Sequence, residues 1–391
     1  MAWLAFFLSL LVLLGLARRS IWLSMFAGAL VLGFFLLPLA ELPKTILSSL
    51  SDPGAIALIF AVGLIPLIGA LLEEGGWLSY LLGLIPGGRR MVFLLAPALF
   101  GLLPVPGGAL LSAPILEKVG GGRPEERAAA NVWFRHILLF FYPMSSALIA
   151  GAKLAGLDLW TIIPYQLLWA AFAVLLGFPF LLRPFRGPKA NVDHVSLKAL
   201  FPLAVLLSAP LLDFLLKRVA PLPALEVATL LALFFSFFLA LLGSRLFGEL
   251  LNLIKKAAPW RFSLIVCGMF VYLGVFRASG LPEVFASLNF PLFGLILGLG
   301  LLMGLATGRQ QAAISVTIPI HLAARGSLDP FSFSVIYQAA YLGYLLSPLH
   351  PCLVVSAEYA KADLWKTWGK LFPPSLAFLF GVVLAGIFLY A

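Results

Sequence analysis

Apolar residues run along this chain in long blocks, several approaching the roughly 20 residues that carry a helix across a bilayer. Ala2–Ala17, Ile21–Ala40, Gly54–Leu72, Ala128–Ala152 and Leu157–Leu182 predict five spanning helices in the first half. Ala199–Leu216, Pro221–Gly243, Phe262–Phe276, Phe331–Ser356 and Leu371–Tyr390 predict five more in the second. Between them, Glu41–Asp52 reads as a polar link and Trp77–Pro86 as a short interfacial helix. Ser244–Arg261, with Arg245, Lys255 and Lys256, reads as an amphipathic surface helix. The polar, proline-bearing stretch Arg183–Lys198 divides the halves.

Two further apolar stretches are too short to cross. Met91–Leu103 and Ala109–Leu116 flank Pro104-Val105-Pro106-Gly107-Gly108. Proline lacks the N–H and glycine costs backbone entropy, so the helix stops there and the pair predicts a hairpin that enters and leaves on one side. Non-helical backbone at membrane depth survives only when buried in protein or lining a wet cavity. A second hairpin is predicted within Pro291–His321, its tip inside Thr307–Ala313. Tyr142-Pro143-Met144-Ser145-Ser146 and Ser347-Pro348-Leu349-His350-Pro351 each interrupt a span.

The halves echo each other. At an offset of 205 residues, Gly63, Gly69, Gly75 and Gly121 fall on glycines, and Pro86, Pro114 and Pro143 on prolines. About two such coincidences are expected by chance over that window. Five spans and one re-entrant hairpin per half make an odd number of crossings, so the second half inserts upside down. The expected fold is therefore an all-α polytopic membrane protein of two inverted-topology repeats, with about 10 spans and 2 hairpins. Residues 1–186 form the first repeat with hairpin 91–118, 187–198 the cytoplasmic linker, and 199–391 the second repeat with hairpin 291–323. This topology gathers eighteen Lys and Arg residues on one side against six on the other, leaving Arg135 and Arg309 in the membrane. The basic side is cytoplasmic, which predicts a multi-pass protein of the cytoplasmic membrane with both termini outside.

Composition agrees. Of 391 residues, 62% are hydrophobic and 11% charged, and mean hydropathy is +1.08. The net charge of +10 would suggest nucleic acid in a soluble protein, but here its distribution encodes topology, so no nucleic-acid partner is expected. Cys267 and Cys352 lie in apolar runs and read as small core residues rather than a disulfide. The first apolar run has no basic segment before it and no clear cleavage site, so it is expected to be retained.

Inverted halves, each with a re-entrant hairpin followed by a broken helix, resemble the ion transporter superfamily of secondary carriers, which includes carriers of dicarboxylates, citrate and gluconate. The tract Leu103–Pro114, followed by Asn131-Val132-Trp133-Phe134-Arg135-His136, resembles an uncharacterised prokaryotic branch of it. The resemblance implies a dimeric elevator carrier, with a scaffold from about 1–76 and 199–276 and a transport domain from about 91–182 and 291–391. Sodium-coupled members carry Ser-Asn-Thr at the hairpin tips. This chain has Pro-Val-Pro-Gly-Gly and Thr-Gly-Arg-Gln-Gln there, which leaves the coupling ion open between H+ and Na+.

Candidate chemistry gathers where tips and breaks would meet. Half-helix N-termini present partial positive charge and free N–H groups, a ready anion site. The expected substrate-binding residues are Pro106, Gly107, Gly108, Ser145, Ser146, Thr307, Arg309, Gln310, Gln311, Ser347 and His350. Arg309 offers a fork suited to carboxylate or phosphate, or it caps carbonyls or pairs with a glutamate. Gln310 and Gln311 bind substrate oxygens or satisfy the tip itself. The hydroxyls are ligands, or bond their own i−4 carbonyls. His350 is the candidate proton carrier, with a packing role as the alternative. Arg135 and His136 read as structural, and Asp213 and Glu226 as interfacial partners of Lys217 and Arg218.

The expected function is a secondary transporter of a small organic anion among membrane lipids, with no cofactor and no metal. The alternative is a flippase for an anionic lipid or polyprenyl-phosphate headgroup. An intramembrane enzyme is less favoured: His-Glu-x-x-His, Gly-x-Gly-Asp and Gly-x-Ser-Gly are absent, and His136, His194, His321 and His350 lack metal-ligand spacing.

Overall fold

A computed structural model describes residues 1–17, 19–77, 80, 85, 88–102, 109–187, 196–286, 292–348 and 350–390. These form an all-helical integral membrane protein. The first half comprises α1 (Ala2–Ala17), α2 (Ile21–Leu36), α3 (Glu41–Leu50), α4 (Pro53–Glu74), α5 (Arg89–Gly101), α6 (Ala109–Val119), α7 (Pro124–Arg135), α8 (Ile137–Phe141), α9 (Ser146–Ala155) and α10 (Leu159–Gly177). A π turn, Phe178–Leu182, extends α10. The second half comprises α11 (Leu200–Val219), α12 (Leu225–Ser244), α13 (Leu250–Ala257), α14 (Pro259–Ala278), α15 (Leu281–Ala286), α16 (Leu292–Thr307), α17 (Gln310–Arg325), α18 (Pro330–Leu345), α19 (Pro351–Tyr359) and α20 (Leu364–Tyr390).

Among the described residues, six helices are long and apolar enough to cross a membrane, seven when the pair Pro124–Phe141 and Ser146–Ala155, bent by 43°, counts as one. α1, α2 and α16 are 16 residues each, about 24 Å at 1.5 Å per residue, short of a hydrocarbon core of about 30 Å. Local chemistry fixes the ends. Asp-Pro begins both α4 and α18: Asp52 accepts from the Ala55 amide at 2.8 Å, and Asp329 from Phe331 and Ser332 at 2.9 and 3.0 Å. Proline at the first helical position gives up only an N–H that had no partner there.

One expectation is corrected outright. Glu41–Asp52 is not a plain link: α3 occupies most of it and packs on α14. Its polar face and Pro43 disguise the helix in the sequence. The surface helix expected over Ser244–Arg261 is shorter, Leu250–Ala257, and ends at Ala258 in the left-handed region. Of the expected interfacial helix Trp77–Pro86, most lies outside the described residues, as do the first hairpin's tip and most of the linker.

The echo of the halves extends to boundaries and neighbours. α9 and α19 begin 205 residues apart, as do α10 and α20. α12 packs on α4 as α2 packs on α14, and α13 on α4 as α3 on α14. Each hairpin also reaches across: α6 packs on α19, and α17 on α9.

Polarity is inverted relative to a soluble protein. Phe34, Phe60, Leu168, Phe235, Phe380 and Phe388 are exposed, whereas Asn131, Arg135, His136, Gln166, Asp213 and His350 are buried. An apolar exterior suits lipid, and buried polar groups must then be paired internally. α4 is the most enclosed of the long apolar helices, 78% buried along its apolar stretch against 33–50% for the other five.

Candidate functional site

The second hairpin's tip is a two-residue turn between α16 and α17. Gly308 adopts φ +61, which only glycine takes at little cost, and Arg309 then caps α17 in an extended conformation. Thr307 donates to the Met303 carbonyl at 2.6 Å and accepts from the Arg309 amide at 3.2 Å. Its hydroxyl is therefore spent on the turn, the i−4 alternative noted above.

This tip docks on the first helix break. Gln311 donates to the Ser146 hydroxyl at 3.4 Å. Gln310, buried, donates to the Tyr337 carbonyl at 3.1 Å and shares the Tyr337 hydroxyl with Ser145. Ser145, Ser146, Gln310 and Gln311 thus lie together. The turn 142–145 leaves Tyr142 to donate to the Leu206 carbonyl at 2.8 Å, bridging the break to α11.

The second break is a separate cluster. Ser347 donates to the Leu305 carbonyl at 2.5 Å, tying the break to the end of α16. His350 is fully buried against Tyr344, ring centroids 4.1 Å apart, and His136, 5.0 Å apart. Pro106, Gly107 and Gly108 lie outside the described residues.

Arg309 is exposed and pairs with no carboxylate among the described residues. It directly precedes Gln310 and Gln311 of the first cluster, and its charge acts on Tyr344 and His350 of the second. The α9, α17 and α19 N-caps, Ser145, Arg309 and His350, make no side-chain capping bond. Ser20, Asp52, Asp158 and Asp329 cap helices elsewhere, while Ala40, Ala224 and Glu249 also begin helices without a side-chain bond. Buried helix starts without caps leave N–H groups for a ligand or water to satisfy.

The comparisons with known proteins agree with this architecture. A family model described as "Protein of unknown function (DUF401)" matches residues 1–388. The chain belongs to the DUF401 family. No curated protein matches it in sequence. Among solved structures, this DUF401 chain is similar to the YdaH transporter of Alcanivorax borkumensis, a crystal structure described as having an unusual topology. The match has TM-score 0.59 at 16% identity and covers 97% of this chain and 98% of that one. At that identity the likeness speaks for the fold.

Several residues of the DUF401 site escaped the sequence reading. Asn131 donates to the Ala109 carbonyl at 3.2 Å and to Ser356 at 2.9 Å, and accepts from Ser112 at 2.6 Å. It ties the first hairpin to both broken helices. His136, expected to be structural, accepts from or donates to the Tyr344 hydroxyl at 3.1 Å beside His350. The expected pairing of acids is half right. Asp213 does hold Lys217 at 3.0 Å, but Glu226 holds Lys153 at 3.2 Å, and Arg218 lies over the Phe214 ring. The reason is helix phase: Glu226, at the start of α12, faces the end of α9 rather than the end of α11. A cavity of about 960 Å³, with Thr45, Asp52, Lys153 and Arg277 in its lining, is at the far end of α9 and α17. It lies some 13 residues, or about 20 Å, along α17 from Arg309.

Proposed function

We propose that this protein is a secondary transporter for a small organic anion, bound where the second hairpin's tip meets the two helix breaks. The observation that carries the reading is Arg309. Its guanidinium, exposed and without a carboxylate partner among the described residues, stands at the uncapped start of α17, whose Gln311 reaches the uncapped start of α9. Anionic oxygens would complete both the fork and the free amides. His350 is proposed as the proton carrier, with sodium as the other coupling ion.

The movement proposed is an elevator, in a homodimer. Hairpins and broken helices, about 91–182 and 291–391, slide against a scaffold of about 1–76 and 199–276. The proposed topology is two inverted repeats of five spans and one hairpin, with both termini outside the cytoplasmic membrane. The recurrence of helix boundaries and neighbours at 205 residues supports two related halves. Likeness in fold to a protein described as a transporter supports transport over catalysis.

The test is a ligand screen by thermal shift, since a ligand that binds the folded state raises its melting temperature. Organic carboxylates should stabilise the wild-type protein and not Arg309→Gln. Arg309→Lys should bind more weakly than wild type, because an ammonium cannot form the planar fork. Losing the bidentate contact should cost roughly 2–5 kcal/mol of binding. Equal shifts in Arg309→Gln, or stabilisation by cations or neutral molecules alone, would refute the anion reading. Stabilisation only by anionic phospholipids would favour the flippase.

A further inference from the structure

We propose that His136, His350 and Cys352 form a binding site for a zinc-type d-block metal ion at the second helix break. One ring nitrogen of each histidine and the Cys352 sulfur lie within 4.8 Å of one another. They come from two elements that pack together: His136 joins α7 to α8, His350 caps α19, and Cys352 is the second residue of α19.

The hydrogen bonds assign the lone pairs. His136 Nδ1 is 2.7 Å from the Val132 carbonyl, which can only accept, so Nδ1 carries the proton and Nε2 is the free base. His350 Nδ1 faces the Leu345 carbonyl at 3.5 Å, while Nε2 is buried with no partner among the described residues. A packing histidine would have both nitrogens satisfied or one in water; this one has a buried nitrogen without a partner among the described residues, in a ring 5.0 Å from a second imidazole. Two imidazole nitrogens and a thiolate suit zinc, and a carbonyl on the far nitrogen of a ligating histidine is the usual outer-shell support.

Tetrahedral bonds of about 2.0–2.3 Å place donor atoms roughly 3.3–3.7 Å apart, so the three donors need to close by about 1 Å. The half-buried Cys352 side chain has the room to do so. Zinc would take the Nε2 lone pair of His136 now shared with the Tyr344 hydroxyl. Three protein ligands leave a fourth position open. The positive charges of Arg309 and Arg135 reach His350, so that position favours an anionic oxygen. The metal site stands on the three side chains alone and does not depend on the anion reading; a metal on His350 replaces the proton-carrier role proposed for that ring, because the same nitrogen cannot do both.

The experiment uses purified full-length protein in detergent, stripped with chelator and kept reduced, titrated with Co2+ as a spectroscopic stand-in for Zn2+. The expected result is one equivalent of Co2+ per chain, with tetrahedral d–d bands and a near-ultraviolet thiolate-to-cobalt charge-transfer band, both abolished by Zn2+. Cys352→Ser should lose the charge-transfer band, and Cys267→Ser should keep it. His350→Ala should weaken Zn2+ binding by at least about 100-fold, since loss of even an outer-shell partner costs about 10–100-fold. If that variant does not fold, the conservative Cys352→Ser still decides. No saturable cobalt spectrum, or a charge-transfer band that survives Cys352→Ser, would overturn the site. Either result leaves the anion screen untouched.

Discussion

Asn131 spends its whole amide on two neighbouring helices, α6 and α19, and Gln166 and Gln338 do not. Gln338 donates to Gln166 at 2.6 Å, yet Gln166 Nε2 and Gln338 Oε1 are buried without partners among the described residues. The two cases predict different responses. Asn131→Ala strands the Ser356 hydroxyl and leaves Ser112 and the Ala109 carbonyl only their long 3.4 Å bond to each other; an unpaired buried group costs about 1–3 kcal/mol, so the melting temperature should fall sharply. For the glutamine pair, Gln166→Met or Gln338→Met alone should destabilise, while the double variant should come back to wild type or above. Replacing both partners of a poorly satisfied buried pair is close to neutral, whereas removing one strands the other. A double variant less stable than either single would show that the pair holds something, such as an internal water.

Helix contacts set the next scale. α16 and α18 cross almost backbone to backbone. A Cβ on Gly304 would lie 2.6 Å from the Tyr344 amide nitrogen, and one on Gly343 would lie 2.3 Å from the Leu301 carbonyl. Small residues let membrane helices approach this closely. Gly304→Ala should therefore lower the melting temperature. Gly298→Ala, on the same helix with nothing within 4 Å, should hold or raise it, alanine being favoured in helices by roughly 1 kcal/mol. At the start of α4, Asp52 pairs with Lys153 on α9 at 3.0 Å. Burial pushes its carboxyl up, but Lys153 and the Ala55 and Gly54 amides outweigh that and hold it below the ordinary 3.8. Its contribution is complete above that ordinary value and is lost as pH falls through the depressed one. Melting curves between pH 7 and pH 3 should show Asp52→Asn lacking that part of the acid loss.

At the scale of the molecule, the proposed elevator must break contacts between its two parts. Ser315 on α17 touches the Met25 sulfur on α2 at 3.4 Å, and Tyr142 holds Leu206. Cysteines at 25 and 315, in a background with Cys267→Ser and Cys352→Ser, should crosslink with mercury and abolish uptake into liposomes. Full transport by the crosslinked protein would mean that α17 does not slide past α2. Topology has its own test. A cysteine at Gly187 should be silent to an impermeant reagent applied to intact cells and reactive after lysis, because the basic residues gather on that side.

The sequence by itself determined where helices can and cannot run. Apolar length marked long helices, and proline beside serine marked both breaks, because a missing N–H acts locally whatever surrounds it; the second turn, which has no proline, was marked by the 205-residue offset. The offset of 205 even held the missing helix: projecting the surface helix at 250–257 back by that interval lands on α3, which polarity concealed. Which polar groups meet was decided only by tertiary structure. His136 and Tyr344 are 208 residues apart, and no spacing rule joins them. They touch because α19 packs on α7 and brings the second break to the end of the first half's helix. The phase of Glu226 toward Lys153 and the enclosure of α4 have the same origin. Alternation along one helix says that a face is apolar, but lipid and protein neighbours are equally apolar, so only packing assigns them.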